Sequence, residues 1–186
     1  NARVVPFYFG GLLDNIKKFI AEIEELAATR RKETARINGL IDAGAYTAAL
    51  DPRKSLRAPR RHDPVPHFNF SPLHNALAKV ERSALLLEAA DLITLKARQR
   101  KKINHLLYTS ERLFLRDQGL PRRSWYRHQL YAPGFYTGYG VKTLPMIREA
   151  IEERRYGAVP EAVVGLSTVL NGLADRIDAI NAIVQR

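Results

Sequence analysis

An unbroken heptad pattern near the end of the chain constrains the fold more than any other feature. Apolar side chains recur there in alternating steps of three and four residues, at Val163, Leu166, Leu170, Leu173, Ile177, Ile180 and Val184. This spacing of about 3.5 residues predicts a helix, opened by Pro160, whose apolar seam packs against other helices. Such seams are more often core than functional site, so the pattern indicates a fold and says little about chemistry.

Two further helices are predicted before the middle of the chain. An apolar face over residues 11–28 predicts a first helix that can continue as far as a stop at Gly44. Ser71 and Pro72 predict the start of a second helix, with Ser71 as the N-cap residue. Its stretch Ala84–Leu95 is apolar on nearly all sides, which predicts a helix that is buried on more than one face.

The remaining pattern completes a helical bundle. Helical spacing predicts a third helix from Ile103 to Phe114 and a short one near residues 147–154. Four prolines make a helix over residues 49–70 very unfavourable and indicate an exposed connection or an insertion. No strand pattern is present. The predicted fold class is therefore all-α, a four-helix bundle of the up-and-down type with a long aromatic, Gly- and Pro-rich loop.

That loop spans residues 119–145. Gly and Pro residues interrupt any helix there, and six aromatic side chains crowd the same stretch: Trp125, Tyr126, Tyr131, Phe135, Tyr136 and Tyr139. Long loops inside compact domains are usually functional. A loop that only packs on its own rings explains the composition equally well, so both interpretations stay open.

The net charge of +11 raises the question of an acidic partner. Two basic clusters contribute to it: Arg53, Lys54, Arg57, Arg60 and Arg61 in the Pro-rich stretch, and Lys96, Arg98, Arg100, Lys101 and Lys102 just before Ile103. The second cluster is expected to spread around the helix without forming a stripe, and no aromatic residue interleaves with either. A solvated surface is the favoured interpretation, and a basic helical nucleic-acid-binding module is the alternative.

Catalytic chemistry has little support in the residues themselves. The chain has no cysteine, no Gly-rich phosphate loop and no His-Glu-x-x-His or Gly-x-Ser-x-Gly motif. His62, His67 and His74 lie close in sequence beside Asp63, but their spacing matches no recognised metal site. We therefore predict no catalytic residue, no metal site and no cofactor in this chain. A complete enzyme with an unrecognised site is a third hypothesis, which the lack of clustered groups disfavours.

A family resemblance enters at residues 120–151. Tyr126-Arg127-His128 precedes Tyr131-Ala132-Pro133, a small-residue loop with a Tyr follows, and Pro145 opens the next helix. This pattern resembles the dimerisation domain of the glutamate carboxypeptidase II and transferrin receptor family. Two weaker matches are Val5-Pro6-Phe7-Tyr8-Phe9, similar to the segment that leads from the peptidase domain into the bundle, and Phe70-Ser71-Pro72-Leu73.

The resemblance implies a four-helix bundle over residues 3–186 that forms a homodimer. It also implies a parent enzyme of the M28 kind, with a zinc peptidase domain and an apical domain that this chain lacks, and with a peptide substrate. Zinc is expected in that missing domain. Asn1-Ala2 is interpreted as a remnant of an expression tag. The transferrin receptors keep this fold without zinc chemistry, so the resemblance leaves the activity of the parent open.

The resemblance carries over one pair of substrate contacts. In the glutamate-cleaving enzymes, a Lys-Tyr pair in the aromatic loop contacts the terminal residue of the substrate. Tyr139 matches the Tyr, whereas Gly138 occupies the Lys position, which weakens the case for a glutamate preference. Lys142 can replace the lost cation only if the loop turns differently.

The location of the parent protein is not determined by this sequence. No apolar run approaches the ~18 residues that a membrane span needs, so no span is predicted in this chain. The resemblance favours a parent that is secreted, periplasmic or anchored on the outer side of a membrane.

Overall fold

A computed structural model describes residues 3–48, 58–136, 138 and 140–186. Its helices are α1 (Gly10–Asp42), α2 (Ala45–Ala48), α3 (Ser71–Glu88), α4 (Ala97–Tyr108), α5 (Pro145–Glu152) and α6 (Val159–Val184), with 3-10 helices at Ser110–Phe114 and Tyr156–Ala158. Two three-residue strands, β1 (Tyr131–Pro133) and β2 (Val141–Thr143), form an antiparallel hairpin. The prediction of a predominantly helical protein is confirmed.

Helix α6 is the centre of the core. The first six residues of its predicted seam are all buried, as are Val169 and Ala174 on another side of the helix. By length and mean hydropathy, Tyr156–Val184 is apolar enough to cross a membrane, which the sequence analysis did not anticipate. Half of its apolar window is buried inside the fold, so its position as a core helix accounts for this composition.

Helix α1 extends almost to Gly44, the furthest end that the sequence predicted. It ends at Asp42, and Gly44 follows with φ +68, a left-handed conformation that glycine adopts without strain. After the apolar face of residues 11–28, the second part of α1 binds residues 58–70 through polar contacts. Asn38 exchanges two hydrogen bonds with the backbone of His62 (2.8 and 3.2 Å), and Arg31 donates to the carbonyls of Val65 and Pro66.

Residues 58–70 contain neither helix nor strand, as their prolines predict. They are nevertheless anchored to α1, since Val65 is buried and its carbonyl is one of the acceptors for Arg31. The first part of the Pro-rich stretch, residues 49–57, lies outside the described residues. Arg53, Lys54 and Arg57 of the first basic cluster belong to that part.

Helix α3 departs from the prediction at both ends. Phe70 is the N-cap residue in place of Ser71, whose backbone N–H donates to Asn69 Oδ1 at 2.9 Å. The helix ends at Glu88, so the predicted helical stretch Ala84–Leu95, buried on more than one face, is wrong. Asp91 explains why, because its side chain accepts the N–H of Ile93 and stabilises a turn that competes with a longer helix.

The predicted third helix is divided. Helix α4 ends at Tyr108, where the hydroxyls of Thr109 and Ser110 donate to carbonyls of the preceding turn, and a 3-10 helix then continues to Phe114. Arg98, Lys101 and Lys102 are exposed on the side of α4 opposite Ile103 and Leu107. These three form a basic stripe, whereas Arg100 lines a groove with Ile103 and Leu107 on the other side, so the five cationic residues as a set are spread around the helix as expected.

Side-chain contacts fix the relative directions of the four longer helices. Helices α1 and α3 are antiparallel and are joined by the pairs Lys17–Glu81 and Glu24–His74. Helices α3 and α6 are parallel and are joined by Lys79–Asp175 and by Asn181, which donates to the Ser83 carbonyl. Helices α4 and α6 are antiparallel, since Gln99 donates to the Ile183 carbonyl and Arg176 donates to the Leu106 carbonyl. Direction therefore alternates along the chain. The most extensively packed pair, α3 and α6, is parallel, whereas neighbours in a regular up-and-down bundle are antiparallel.

Candidate functional site

The aromatic segment 119–145 folds into a turn followed by the β1–β2 hairpin. Tyr131 pairs with Thr143 and Pro133 with Val141, and the N–H of Gly134 donates to the carbonyl of Gly140 at 2.8 Å. Sequence analysis missed these strands because three residues are too few for an alternating pattern to show. The described residues between the two strands, 134–136, 138 and 140, form the tip of this hairpin.

A buried ion pair holds the base of this tip. The side chains of Arg123 and Glu149 are 3% and 5% exposed, and they bond to each other between the turn and α5. Arg123 also donates to the carbonyl of Pro133, while Glu149 accepts the N–H of Phe135 at 3.1 Å. The pair thus connects the end of β1 and the start of the tip to α5.

Arg122 holds the same tip from its outer side. Its guanidinium lies 4.0 Å from the centre of the Phe135 ring and donates to Tyr136 Oη at 3.3 Å and to both Glu153 oxygens. Arg155 also donates to Glu153 at 2.8 Å. Burial disfavours the charged form of Glu153, but the hydrogen bonds from the two guanidiniums outweigh it and hold the pKa of that carboxyl below its usual value.

The turn before the hairpin contains the first residues of the predicted motif. Tyr126 accepts the N–H of Leu120 through its carbonyl at 2.8 Å, and its ring lies 5.6 Å from the Arg123 guanidinium. Arg127 pairs with Asp117 and donates to the carbonyl of Arg116. These contacts close the turn, so Tyr126 and Arg127 both stabilise the loop.

The other motif residues lie beside the core. The His128 ring stacks between Phe114 and Tyr131, with centroid distances of 5.7 and 4.2 Å. Tyr131 donates to Glu111 at 3.4 Å, and Pro133 closes β1 as the acceptor for Arg123. The structure therefore brings His128 and Tyr131 into contact and places Pro133 at the buried ion pair.

Burial lowers the pKa of His128, and the nearby Glu111 carboxylate opposes this shift only in part. Its Nε2 atom is buried and has no hydrogen-bond partner among the described residues. The folded state thus favours the neutral ring, whereas the unfolded chain binds a proton near pH 6.5.

We therefore expect the free energy of unfolding to fall as the pH drops below about 6.5, because the unfolded state then takes up a proton that folded His128 resists. Urea unfolding between pH 7.5 and about 5 measures this change. In the His128→Gln variant the decrease should become shallower. An identical pH dependence in both proteins would contradict the assignment to His128.

Two of the three histidines considered as metal ligands have polar contacts with α1. His62 bonds to Asn38 through its backbone, and His74 Nε2 lies 2.7 Å from Glu24 Oε1. Within residues 3–48, 58–136, 138 and 140–186 the structure contains no group of three or more potential ligands arranged to hold a metal ion.

A sequence profile of the transferrin receptor-like dimerisation domain matches residues 68–178, which include α3, the aromatic loop and most of α6. The chain belongs to this family. The match covers more than half of the chain and begins after α1 and after Pro66, the last proline of the Pro-rich stretch.

Two relatives are probable glutamate carboxypeptidases. The one from Arthroderma benhamiae is 36% identical over 85 residues, which is 46% of this chain and 11% of the relative. The one from Arabidopsis thaliana is 34% identical over 55 residues, which is 30% of this chain and 8% of the relative. The matched parts of the chain thus span about a tenth of these relatives.

Of the two residues at the positions of the family's Lys-Tyr pair, the structure describes Gly138 but not Tyr139. Gly138 has φ +61 and open space around it, and Tyr139 lies outside the described residues, so its contacts stay a prediction. Lys142 lies on β2, where its Nζ binds both oxygens of Glu152 at 2.9 and 3.0 Å. Lys142 is thus paired with Glu152, and this arrangement does not support its replacing the cation that is lost at Gly138.

Proposed function

We propose that this domain pairs with a second copy of itself and lends its aromatic loop to the substrate pocket of a glutamate carboxypeptidase-like zinc peptidase. The family match over residues 68–178 carries this proposal. The names of the two relatives support the peptidase context. Helices α1, α3, α4 and α6 would form the four-helix bundle of the family. Zinc and its ligands would belong to the peptidase domain of the parent.

An exposed apolar patch on α3 supports self-association. Leu85 and Leu86 are 65% and 60% exposed, although both lie in the stretch that the sequence predicted to be buried. Leu85 borders a groove between α1 and α3 that Tyr8, itself 70% exposed, also lines. A two-fold contact over this patch would remove the leucines from water in both protomers.

We expect Leu85→Asp with Leu86→Asp to weaken the dimer at least about a hundredfold, because each leucine loses roughly 1.5–3 kcal/mol of apolar burial and gains a charge at the contact. Sedimentation equilibrium at micromolar concentrations measures the change. Val164→Asp is a control for a charge added at an exposed aliphatic residue elsewhere, since Val164 lies on α6. A wild-type chain that stays monomeric at high micromolar concentration would contradict the proposed dimer.

A second apolar face supports the contact with a peptidase domain. Phe7 and Tyr131, each nearly half exposed, border the same cavity of about 170 Å³ beside His128. Tyr136 and Val141 on the hairpin are more than 70% exposed. Because residues 5–9 resemble the segment that leads out of the peptidase domain, that domain would cover this face and the tip would reach its cleft.

Tyr139 is the residue that we propose contacts the substrate. In the full-length parent, its hydroxyl would donate a hydrogen bond to the terminal carboxylate, and such bonds to charged groups contribute roughly 1.5–3 kcal/mol. Tyr139→Phe should therefore lower kcat/KM by about one to two orders of magnitude and leave the dimer intact. Steady-state kinetics on C-terminal dipeptide substrates tests this. Wild-type kinetics would exclude the contact, and a joint loss of dimer and activity would assign Tyr139 a packing role.

A further inference from the structure

A groove of about 660 Å³ lies between residues 3–9, the end of α3 and the core-facing side of α4. This volume falls within the roughly 300–1,000 Å³ that is typical of small-molecule sites. Apart from three charged residues, every side chain that lines the groove is apolar, and Ile103 and Leu107 among them belong to the buried core. The groove therefore offers an apolar ligand walls that are continuous with the core.

The segment of residues 3–9 is fixed in place as one wall of this groove. The side chain of Asn104 on α4 accepts the N–H of Val5 at 2.8 Å and donates to the carbonyl of Arg3 at 3.0 Å. At the other end of the segment, Phe9 is only 1% exposed. Because both ends are held, a ligand does not have to order this wall when it binds.

The three charged residues of the groove are Arg3, Arg100 and Glu88. Arg100 is half-buried and donates from Nη1 to the Leu95 carbonyl, which leaves further guanidinium N–H groups for a ligand. No ion pair among the described residues includes Arg3 or Arg100. Glu88 is exposed at the end of α3. Two cations against one carboxylate leave the groove with an excess of positive charge.

We propose that this groove binds a small amphipathic carboxylate, such as a medium-chain fatty acid. The alkyl chain would leave water by lying on the apolar walls, where it would also cover Ile93, which is 90% exposed. The carboxylate would accept hydrogen bonds from Arg100, because a planar guanidinium can donate two parallel bonds to a carboxylate. Arg3 would add positive charge, and Glu88 would oppose the anion.

Titration calorimetry with decanoate and with decanol, which have the same alkyl chain, separates the charge from the walls. We expect decanoate to bind more tightly. Arg100→Gln should weaken decanoate binding at least about fivefold and leave decanol binding within about twofold. Retained decanol binding shows that the groove of this variant is still folded. Arg98→Gln is the matched control, because Arg98 lies on the same helix, is exposed and does not line the groove.

Two further variants test the walls and the opposing charge. Ile93→Ser should weaken the binding of decanoate and decanol about equally, by roughly threefold, because it removes apolar surface and changes no charge. Glu88→Gln should strengthen decanoate binding about twofold and leave decanol binding unchanged, because it removes a like charge. A gain in affinity is a result that a misfolded variant does not produce.

Tight binding of decanoate that depends on Arg100 and not on Arg98 supports the proposal. Equal affinities for decanoate and decanol, or equal losses in the two arginine variants, would overturn it. No binding of decanoate up to about 1 mM would do the same. Weaker self-association of Ile93→Ser with unchanged decanoate binding would overturn it in favour of a groove that a second copy of the chain occupies.

Discussion

Replacing Arg123 with alanine is expected to lower the free energy of unfolding by about 3–5 kcal/mol, because it leaves the carboxylate of Glu149 buried without its charge partner. The same change removes the hydrogen bond to the Pro133 carbonyl at the end of β1. The loss should be visible as a lower urea midpoint with an unchanged slope.

Two further variants show whether the loss in Arg123→Ala comes from an unpaired buried charge. Lys79→Ala breaks the exposed pair with Asp175 and should cost less than about 1 kcal/mol. Arg123→Met combined with Glu149→Leu should cost less than Arg123→Ala alone, because no charge is left buried. A loss for Arg123→Ala as small as that for Lys79→Ala would show that the pair is not desolvated as the structure indicates.

The parts of the fold that sequence predicted best are those whose burial repeats with the helical period. The seam of α6 alternates without interruption, and each of its first six members is buried. The face of α1 behaves likewise, and Gly44 marks its end because a left-handed residue follows the last turn. Periodicity and one glycine were sufficient for these two helices because their buried faces repeat with the helical period.

Prediction failed where a local side-chain contact competes with the helix. The stretch Ala84–Leu95 has helical composition, yet Asp91 binds the N–H of Ile93 and ends α3 early. Leu85 and Leu86, which lie within the last turn of α3, are exposed, and they are the basis of the proposed dimer contact. Composition alone does not distinguish residues buried within the chain from residues available to a second copy.

In the sequence, the motif residues of the candidate loop attracted attention, whereas its buried ion pair did not. Tyr126, His128 and Tyr131 were singled out in the sequence, and the structure gives each a defined contact. Arg123 and Glu149 were missed because, in sequence, each looks like an ordinary surface charge. Only the packing of the turn on α5 buries them together, and the position of Tyr139 within the tip stays a prediction.

Gly119 gives a second way to test how the tip is held. It has φ +63, and a Cβ atom there would lie 2.1 Å from the carbonyl oxygen of Ser124. Gly119→Ala should therefore cost about 3 kcal/mol, from left-handed strain of roughly 1–2 kcal/mol and from displacement of the Ser124 backbone. Gly138→Ala is the control, since Gly138 has φ +61 but no atom near the added Cβ, and it should cost only the strain.

A double-mutant cycle of Gly119→Ala and Arg123→Ala shows whether displacement of the Ser124 backbone disturbs the buried ion pair. Ser124 lies inside the turn that Tyr126 closes and follows Arg123 directly, so a shifted Ser124 backbone should pull Arg123 away from Glu149. Gly119→Ala should then cost less in an Arg123→Ala background than alone, with a coupling of about 1 kcal/mol or more. Urea unfolding of the two single variants and the double variant measures it. Additive losses would mean that the turn and the buried pair stabilise the loop independently.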